Sequence, residues 1–367
     1  MATESFELKV LDVIEETADA RSVVFEIPAD AREAFDYQPG QFLTLAIPSD
    51  QTGIAARCYS LSSTPGDDAL KVTVKRTSDG YASNWICDNV RAGDTLRVLP
   101  PSGIFTPASL DADLLLFAGG SGITPIMSIT KAALARGTGR VVLVYANRDE
   151  QSVIFAAELR ALAEQYGERL VVIHWLESVQ GLPAPDQMRG IAAHFPTYDA
   201  FVCGPPAFMK CVVGVLKGLE FPRERRHQEK FVSLAGNPFG DVEEAAVVEA
   251  EVFEAEHEPE DAAQEPAAAG DPTPQGAVRV EIELDGTTYE YDDWPATKPL
   301  LDHLLKKGVP APFSCREGNC SACAFRLLEG EVKMEHNDIL DEDDLADGIR
   351  LGCQAYPVTD VVKGTYS

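Results

Sequence analysis

Four cysteines between residues 315 and 353 carry the plainest chemistry in this chain. Cys315, Cys320 and Cys323 stand in the run CREGNCSAC, and Cys353 follows in LGCQ. C-x4-C-x2-C with a distant fourth cysteine is the ligand spacing of a [2Fe–2S] centre, in which four thiolates hold two irons through bridging sulfides. A zinc ribbon would use two separated C-x2-C pairs, a pattern absent from the sequence. Three ligands on one tight loop need backbone amides that face the sulfurs. Gly318 permits conformations closed to other residues, and Arg316 and Ser321 place further donors beside an anionic centre. Such a centre moves one electron at a time and performs no substrate chemistry, so something upstream must supply the electrons.

A second group lies near the N-terminus. In RCYS (57–60) the Arg57 guanidinium suits pyrophosphate oxygens, the Tyr59 ring suits stacking on an isoalloxazine, and the Ser60 hydroxyl can bond the ring nitrogen that accepts hydride. Alone, these residues read equally well as an ordinary strand with an exposed arginine. They are followed by VKR (74–76) and GYASN (80–84), the spacing of a second strand and of a helix whose first amides face an anion. Further on, the apolar run DLLLFAGG opens into Gly119, Gly120, Ser121 and Gly122, and AFVCGPP ends a similar run at Cys203. GGSG is not G-x-G-x-x-G, so the usual dinucleotide fingerprint is missing.

As for the elements that must position these residues, 367 residues allow two or three domains, each with its own core. Residues 1–108 read as short β-branched and apolar runs broken by Pro and Gly (FELKVLDVIEET, RSVVFEIP, FLTLAIP, ALKVTVKRT, DTLRVLPPSG), which predicts an antiparallel barrel or sandwich with one helix, YASNWICDNV. Residues 109–234 alternate strand and helix and predict a doubly wound α/β domain. There Thr124 is expected to cap the helix PIMSITKAALARG, with Pro125 in its first turn. Residues 235–277 hold twelve acids and no Lys or Arg, and are expected to form a flexible acidic linker. Residues 278–367 open with strands VRVEIELDG and TYEYDDW and the helix PLLDHLLKKG, an entry that suits a β-grasp cluster domain. His174 and His303 lie among apolar residues and read as structural.

The net charge of −28 argues against nucleic acid and anionic membranes as partners. MATESFELKV lacks a signal pattern and no apolar run reaches about 18 residues, so no membrane span is expected. Cys58, Cys87, Cys203 and Cys211 form no disulfide framework, which with a thiolate cluster predicts a reducing, cytoplasmic setting.

RxYS, the Gly80–Ser83 helix start, GGSGITP (119–125) and CGPP (203–206), in this order and followed by the cysteine run, resemble the ferredoxin–NADP reductase superfamily. Within it the chain is similar to oxygenase reductases that carry a fused C-terminal plant-type ferredoxin, over nearly all its length apart from the linker. The resemblance implies that FAD meets Arg57, Tyr59, Ser60, Val74, Lys75, Gly80, Ala82 and Ser83. It implies that the nicotinamide coenzyme meets Gly120, Gly122, Ile123, Thr124, Pro125, Cys203, Gly204 and Pro205, with Thr124 near the meeting point of the two rings. Cys203 stands either beside the reacting nicotinamide carbon or simply as a buried strand-end cysteine. The superfamily's C-terminal flavin-stacking aromatic is displaced by the fused domain. Phe231 in EKF is the candidate replacement, with core packing as its alternative.

Electron counting then gives the expected route. NAD(P)H yields a pair, FAD can take the pair and release single electrons, and the cluster passes them to a separate terminal oxygenase. Asp149 and Glu150 in ANRDE favour NADH over NADPH by repelling a 2′-phosphate, with Arg148 as a partial offset. The resemblance, carried further by VTVKRTSDGYASNW, YANRDEQSVIF and HWLESVQGLP, implies steroid 9α-hydroxylation as the oxygenase system served, with phenylacetyl-CoA epoxidation as the alternative, and no residue here encodes the final substrate. A different class of reading makes the cluster domain a docking module behind a flavin reductase. Six carboxylates in NDILDEDDLADG (337–348), with no base among them, are the expected docking face.

Overall fold

The computed structural model describes residues 5–49, 53–78, 80–231, 238–239, 277–284, 286–313, 316–318, 320–340 and 342–366, without the side chain of Asp343. Cys315, Asp341 and nearly all of the acidic linker lie outside the described residues. The chain forms two compact units, one mainly Thr3–Pro48 with Ile54–Ser233, the other mainly Leu234–Ser367.

The first unit begins with strands β1 (Phe6–Thr17), β2 (Ala20–Glu26), β3 (Phe42–Ser49), β4 (Gly53–Ser60) and β5 (Ala69–Lys75), then helix α1 (Tyr81–Asn89) and strand β6 (Thr95–Ser102). Their order is β4-β3-β6-β1-β2-β5, and an antiparallel bridge between Leu61 and Val72 joins the two outer strands into a closed barrel. Its interior is filled by Leu8, Val10, Val23, Phe25, Leu43, Leu45 and Ile47, residues whose branched or aromatic side chains fit a pleated, buried surface.

The α/β layer follows: β7 (Leu114–Gly119), α2 (Ile123–Arg136), β8 (Val141–Asn147), α3 (Ala156–Tyr166), β9 (Leu170–Leu176), the short α4 (Glu177–Gln180), α5 (Pro185–Ala192), β10 (Asp199–Cys203), α6 (Pro206–Gly218) and β11 (Arg226–Glu229). All pairings are parallel, in the order β11-β10-β7-β8-β9. Chain order reverses at β7, whose six residues are all buried. That reversal is where an open parallel sheet leaves a crevice for ligand at its strand ends. β11 is absent from the sequence reading because RHQE carries no apolar period; its partner β10 and the edge position impose the strand. Thr124 does not cap α2. The helix starts two residues earlier, with Gly122 as its cap, and the Thr124 hydroxyl donates to the Ser121 carbonyl at 3.1 Å.

Barrel and α/β layer are tied within this unit by half-buried ion pairs at the surface. Lys71 reaches Glu158 at 3.0 Å, and Lys131 reaches Asp67 at 3.0 Å and Glu158 at 3.4 Å. Lys71 also lies 4.9 Å from the centre of the Phe155 ring.

The second unit holds β12 (Ala277–Leu284), β13 (Thr287–Pro295), α7 (Leu300–Lys306), β14 (Ala324–Glu329), β15 (Val332–Met334), α8 (Glu342–Ala346), β16 (Ile349–Leu351), β17 (Ala355–Pro357) and β18 (Val361–Thr365). Its main sheet runs β13-β12-β18-β14-β16, with the parallel pair β12/β18 inside and antiparallel partners outside, and β15 pairs with β17. In β12 every second residue is buried, and Trp294, Leu300, Leu301 and Leu304 cover that face. His303 is buried edge-on to Tyr291 at 5.6 Å, and burial lowers its pKa, as a structural histidine requires. Among the described residues no helix is long and apolar enough to cross a membrane.

Candidate functional site

At the barrel end of the first unit, β4 delivers Arg57, Tyr59 and Ser60. The Leu61–Val72 bridge sets that end against β5, which delivers Val74 and Lys75. Arg57 donates to the Ala56 carbonyl at 2.7 Å, Ser60 is buried, and burial pushes the Tyr59 phenol well above its usual range against the pull of Arg57. Beyond β5 the chain turns at Gly80 into α1. The Thr77 amide donates to the Ser83 hydroxyl at 3.1 Å, and the Asn84 side chain donates to the carbonyls of Gly80 and Thr77 at 2.7 and 3.1 Å. A Cβ at Gly80 would lie 2.8 Å from the Thr77 side chain. With no side-chain cap on α1, its first amides stay available to an anion. Ser83 is buried, and its oxygen accepts within the turn.

The α/β side is built by backbone proximity. Gly120 adopts φ +50°, open at little cost to glycine, and its carbonyl accepts from the buried Tyr145 hydroxyl at 3.1 Å. A Cβ at Gly122 would stand 2.2 Å from the Cys203 carbonyl oxygen, and one at Gly204 would stand 2.9 Å from the Gly119 nitrogen. The turns after β7 and β10 therefore touch main chain to main chain, at the point where the sheet order reverses. Ile123, Thr124 and Pro125 form the first turn of α2 beside them and are buried. Pro205 caps α6 and sits against Gly119, where an added Cβ would be 2.8 Å from its Cδ. Lys75 ties the two sides together. Its ammonium is 3.8 Å from where a Gly120 Cβ would lie and 3.7 Å from Asp19.

Cys203 is 0% exposed, and burial, with Glu229 second, pushes its thiol well up. Both causes favour the protonated thiol. Glu229 is its cross-strand partner in the β10–β11 ladder. The Glu229 carboxyl is buried, its Oε2 has no hydrogen-bond partner, and burial raises its pKa to about 8. Sequence reading missed it. The one available signal was an acid two residues before Phe231 in a segment too short to show a period. Phe231 itself is 52% exposed, so the described structure does not sequester it in a core.

In the second unit Cys320 and Cys323 lie just before β14 and Cys353 just after β16. The β14–β16 ladder pairs Ala324 with Leu351, and the Gly352 amide donates to the Cys323 carbonyl at 2.9 Å, which brings Cys323 beside the Cys353 turn. All three are buried, and none of the described cysteines is in a disulfide. Gly318 has φ +81°, and a Cβ there would meet the His336 carbonyl oxygen at 2.7 Å. Arg316 adopts φ +62°, a left-handed conformation that costs a non-glycine residue on the order of 1–3 kcal/mol. Gln354 pins it by donating to the Arg316 carbonyl at 3.1 Å and to the Cys353 sulfur at 3.6 Å. The Arg316 guanidinium donates to Asp302 at 3.1 Å and covers the Phe313 ring, so the donor reaching a cysteine from this side is Gln354. Among the described residues no three His, Cys, Asp or Glu side chains gather as for a single ion. A binuclear centre asks for two thiolates per iron, and buried thiols on a glycine-shaped loop fit it.

Residues 7–106 match the family described as oxidoreductase FAD-binding domain, 116–214 the oxidoreductase NAD-binding domain, and 282–358 the 2Fe-2S iron-sulfur cluster binding domain. The ferredoxin reductase component of 3-ketosteroid-9-alpha-monooxygenase from Rhodococcus rhodochrous is 55% identical over 357 residues, 97% of this chain and 95% of that protein. A component of the 1,2-phenylacetyl-CoA epoxidase from Escherichia coli is 32% identical, over 97% of this chain and 96% of that protein. In fold, the chain resembles phthalate dioxygenase reductase with a TM-score of 0.54 at 22% identity, covering 98% of each chain. It is an oxidoreductase that carries electrons from a nicotinamide coenzyme through FAD and a [2Fe–2S] cluster to an oxygenase, and it belongs to the family of monooxygenase ferredoxin reductase components with a fused C-terminal cluster domain.

Proposed function

We propose that this chain is the NADH-dependent reductase of a 3-ketosteroid 9α-monooxygenase, working in the cytoplasm. The carrying observation is the 55% identity with the Rhodococcus reductase component, which runs through all three domains. The lower identity with the epoxidase component makes that system the second choice. The modules run 1–108 for FAD, 109–234 for the coenzyme, 235–277 as an acidic tether and 278–367 for the cluster.

When bound, FAD receives two electrons from the reduced coenzyme as a hydride and yields them singly to the [2Fe–2S] centre. The residues serve that exchange by position. Arg57, the first amides of α1 around Gly80, Ala82 and Ser83, and Val74 with Lys75 would hold the flavin; Tyr59 and Phe231 would stack on its ring; the Ser60 hydroxyl would bond the nitrogen that accepts hydride. Gly120, Gly122, Ile123, Thr124, Pro125, Gly204 and Pro205 shape the coenzyme crevice, and Cys203 lines it as a neutral thiol. Cys315, Cys320, Cys323 and Cys353 ligate the cluster.

Two contacts support the preference for NADH. The Ser152 hydroxyl and amide hydrogen-bond Asp149 at 2.7 and 2.9 Å, holding its carboxyl below the usual range and therefore charged. Arg148 is committed to Asp19 at 3.0 Å, which draws the offsetting cation away from a 2′-phosphate. The kcat/KM ratio should favour NADH, and a preference for NADPH would reverse this assignment.

The partner is tested by reconstitution. Mixed with a purified 3-ketosteroid 9α-oxygenase component, the protein should support NADH-driven steroid hydroxylation. Faster coupling to phenylacetyl-CoA epoxidase would assign it to that system instead.

A further inference from the structure

Tyr366 follows β18, and its amide donates to the Glu283 carbonyl at 2.9 Å. Its ring lies 5.8 Å from that of Phe325, tilted by 42°, on the core side of the second unit. The ring carries the phenol oxygen into a place where it is buried and has no hydrogen-bond partner. An unsatisfied buried hydroxyl costs about 1–3 kcal/mol, and native structures rarely keep one without a use.

The neighbours of that oxygen are specific. A Cβ on Gly352 would stand 2.7 Å from it and 3.2 Å from the Cys323 carbonyl oxygen. The hydroxyl thus rests on the seam where the Gly352 amide reaches Cys323 and where Cys353 begins, and the absence of a side chain at 352 admits it. A phenol keeps its proton at neutral pH and is a donor, and among the described residues it has no hydrogen-bond partner.

We propose that the Tyr366 hydroxyl, which has no partner among the described residues, donates a hydrogen bond to a sulfide that the [2Fe–2S] centre would bring beside Cys323 and Cys353, and thereby raises its reduction potential. This rests on the ligand assignment given under Proposed function. Reduction adds one negative charge that is shared with the sulfurs, so a donor aimed at them stabilises the reduced form more than the oxidised one. Low local dielectric strengthens such a bond. Tyr366 is a positioning and tuning residue in this scheme and takes no electron itself.

The full-length holoprotein carrying Tyr366→Phe keeps the ring on Phe325 and removes one oxygen. Its cluster should assemble with full visible absorption. In a redox titration followed by paramagnetic resonance, the one-electron equilibrium should shift about tenfold toward the oxidised centre, a fall of about 59 mV. An iron–sulfur stretching mode that shifts in D2O in the wild type should lose that sensitivity. Gly352→Ala, whose Cβ drives the hydroxyl off the seam, should lower the potential as well. An unchanged potential in Tyr366→Phe, with or without lost thermal stability, would overturn the proposal. A wild-type protein lacking any [2Fe–2S] signal would instead overturn the ligand assignment and this proposal with it.

Discussion

At the turns after β7 and β10 the chain comes into contact with itself, and what meets there is carbonyl, amide and the space left by the missing Cβ of Gly122. At the loop before β14 the working parts are side chains of one kind, cysteines on a backbone held by Gly318, Arg316 and Gln354. The first site is a shape made of main chain, and almost any side chain added to it does damage. The second is a ligand set, and its geometry has value only while all the ligands are present. Changes at the two sites should therefore fail in different ways.

The largest expected effect is at the cluster. With each of the four cysteines supplying one terminal thiolate, as proposed, Cys320→Ala should abolish the visible absorption and paramagnetic signal of the reduced centre. FAD binding and dye reduction by NADH, which use the other unit, should persist. A full cluster signal in that variant would sink the ligand assignment.

Gly122→Ala should do the reverse. Its Cβ must displace the backbone of Cys203 and Gly204, with carbonyl carbon and nitrogen at 2.4 and 2.6 Å as well as the oxygen. Overpacking of this kind costs about 1–3 kcal/mol, and an ångström of misplacement between reacting groups can cost about a hundredfold in rate. NADH-driven dye reduction should fall by about that factor while the cluster reduced chemically by dithionite keeps its signal. Wild-type dye reduction would mean that the two turns need not touch for hydride transfer.

The same contrast decides what could be read from the sequence. Cysteines announce themselves by type and spacing, so three of the four ligand positions are traceable to described loops without any fold in hand. The barrel strands and β7, β8 and β10 were also legible, because their apolar runs are long and bounded by Gly and Pro. The coenzyme crevice was not, since GGSG has no unique fingerprint and its meaning lies in how near Cys203 comes. Glu229 and Tyr366 were invisible for a further reason. Each is a single polar residue near the end of a short strand, and only tertiary packing tells that its polar atom is buried.

Glu229 allows a smaller effect to be measured in the first unit. An unfolded glutamate titrates at about 4.3, whereas burial holds the Glu229 proton up to about 8. Between those values the native state binds a proton that the unfolded state has released, so stability falls as pH rises through the window, by at most about 1.4 kcal/mol per pH unit. Glu229→Gln removes the titration and keeps the volume. Its melting temperature should decline less than that of the wild type from pH 5 to pH 8, and parallel profiles would place the Glu229 pKa near its ordinary value.

The smallest effect belongs to the acidic face of the cluster unit, because surface charge acts on encounter and is screened by salt. In sequence the run 337–348 has no base, but the fold brings two. Arg326 donates to the Asp347 carbonyl at 2.7 Å and Arg350 to the Leu345 carbonyl at 2.8 Å, so cations sit at the C-terminal end of α8. Asp338 pairs with His336 at 3.0 Å. Glu342, the first residue of α8, is exposed. Replacing Asp341, Glu342, Asp343 and Asp344 by amides should slow electron delivery to the oxygenase severalfold at low salt and flatten its dependence on ionic strength. NADH oxidation by a dye should stay unchanged, since that reaction is completed in the other unit. An unaltered salt dependence would move the docking face off α8, and the twelve carboxylates of residues 235–277 would be the next to neutralise.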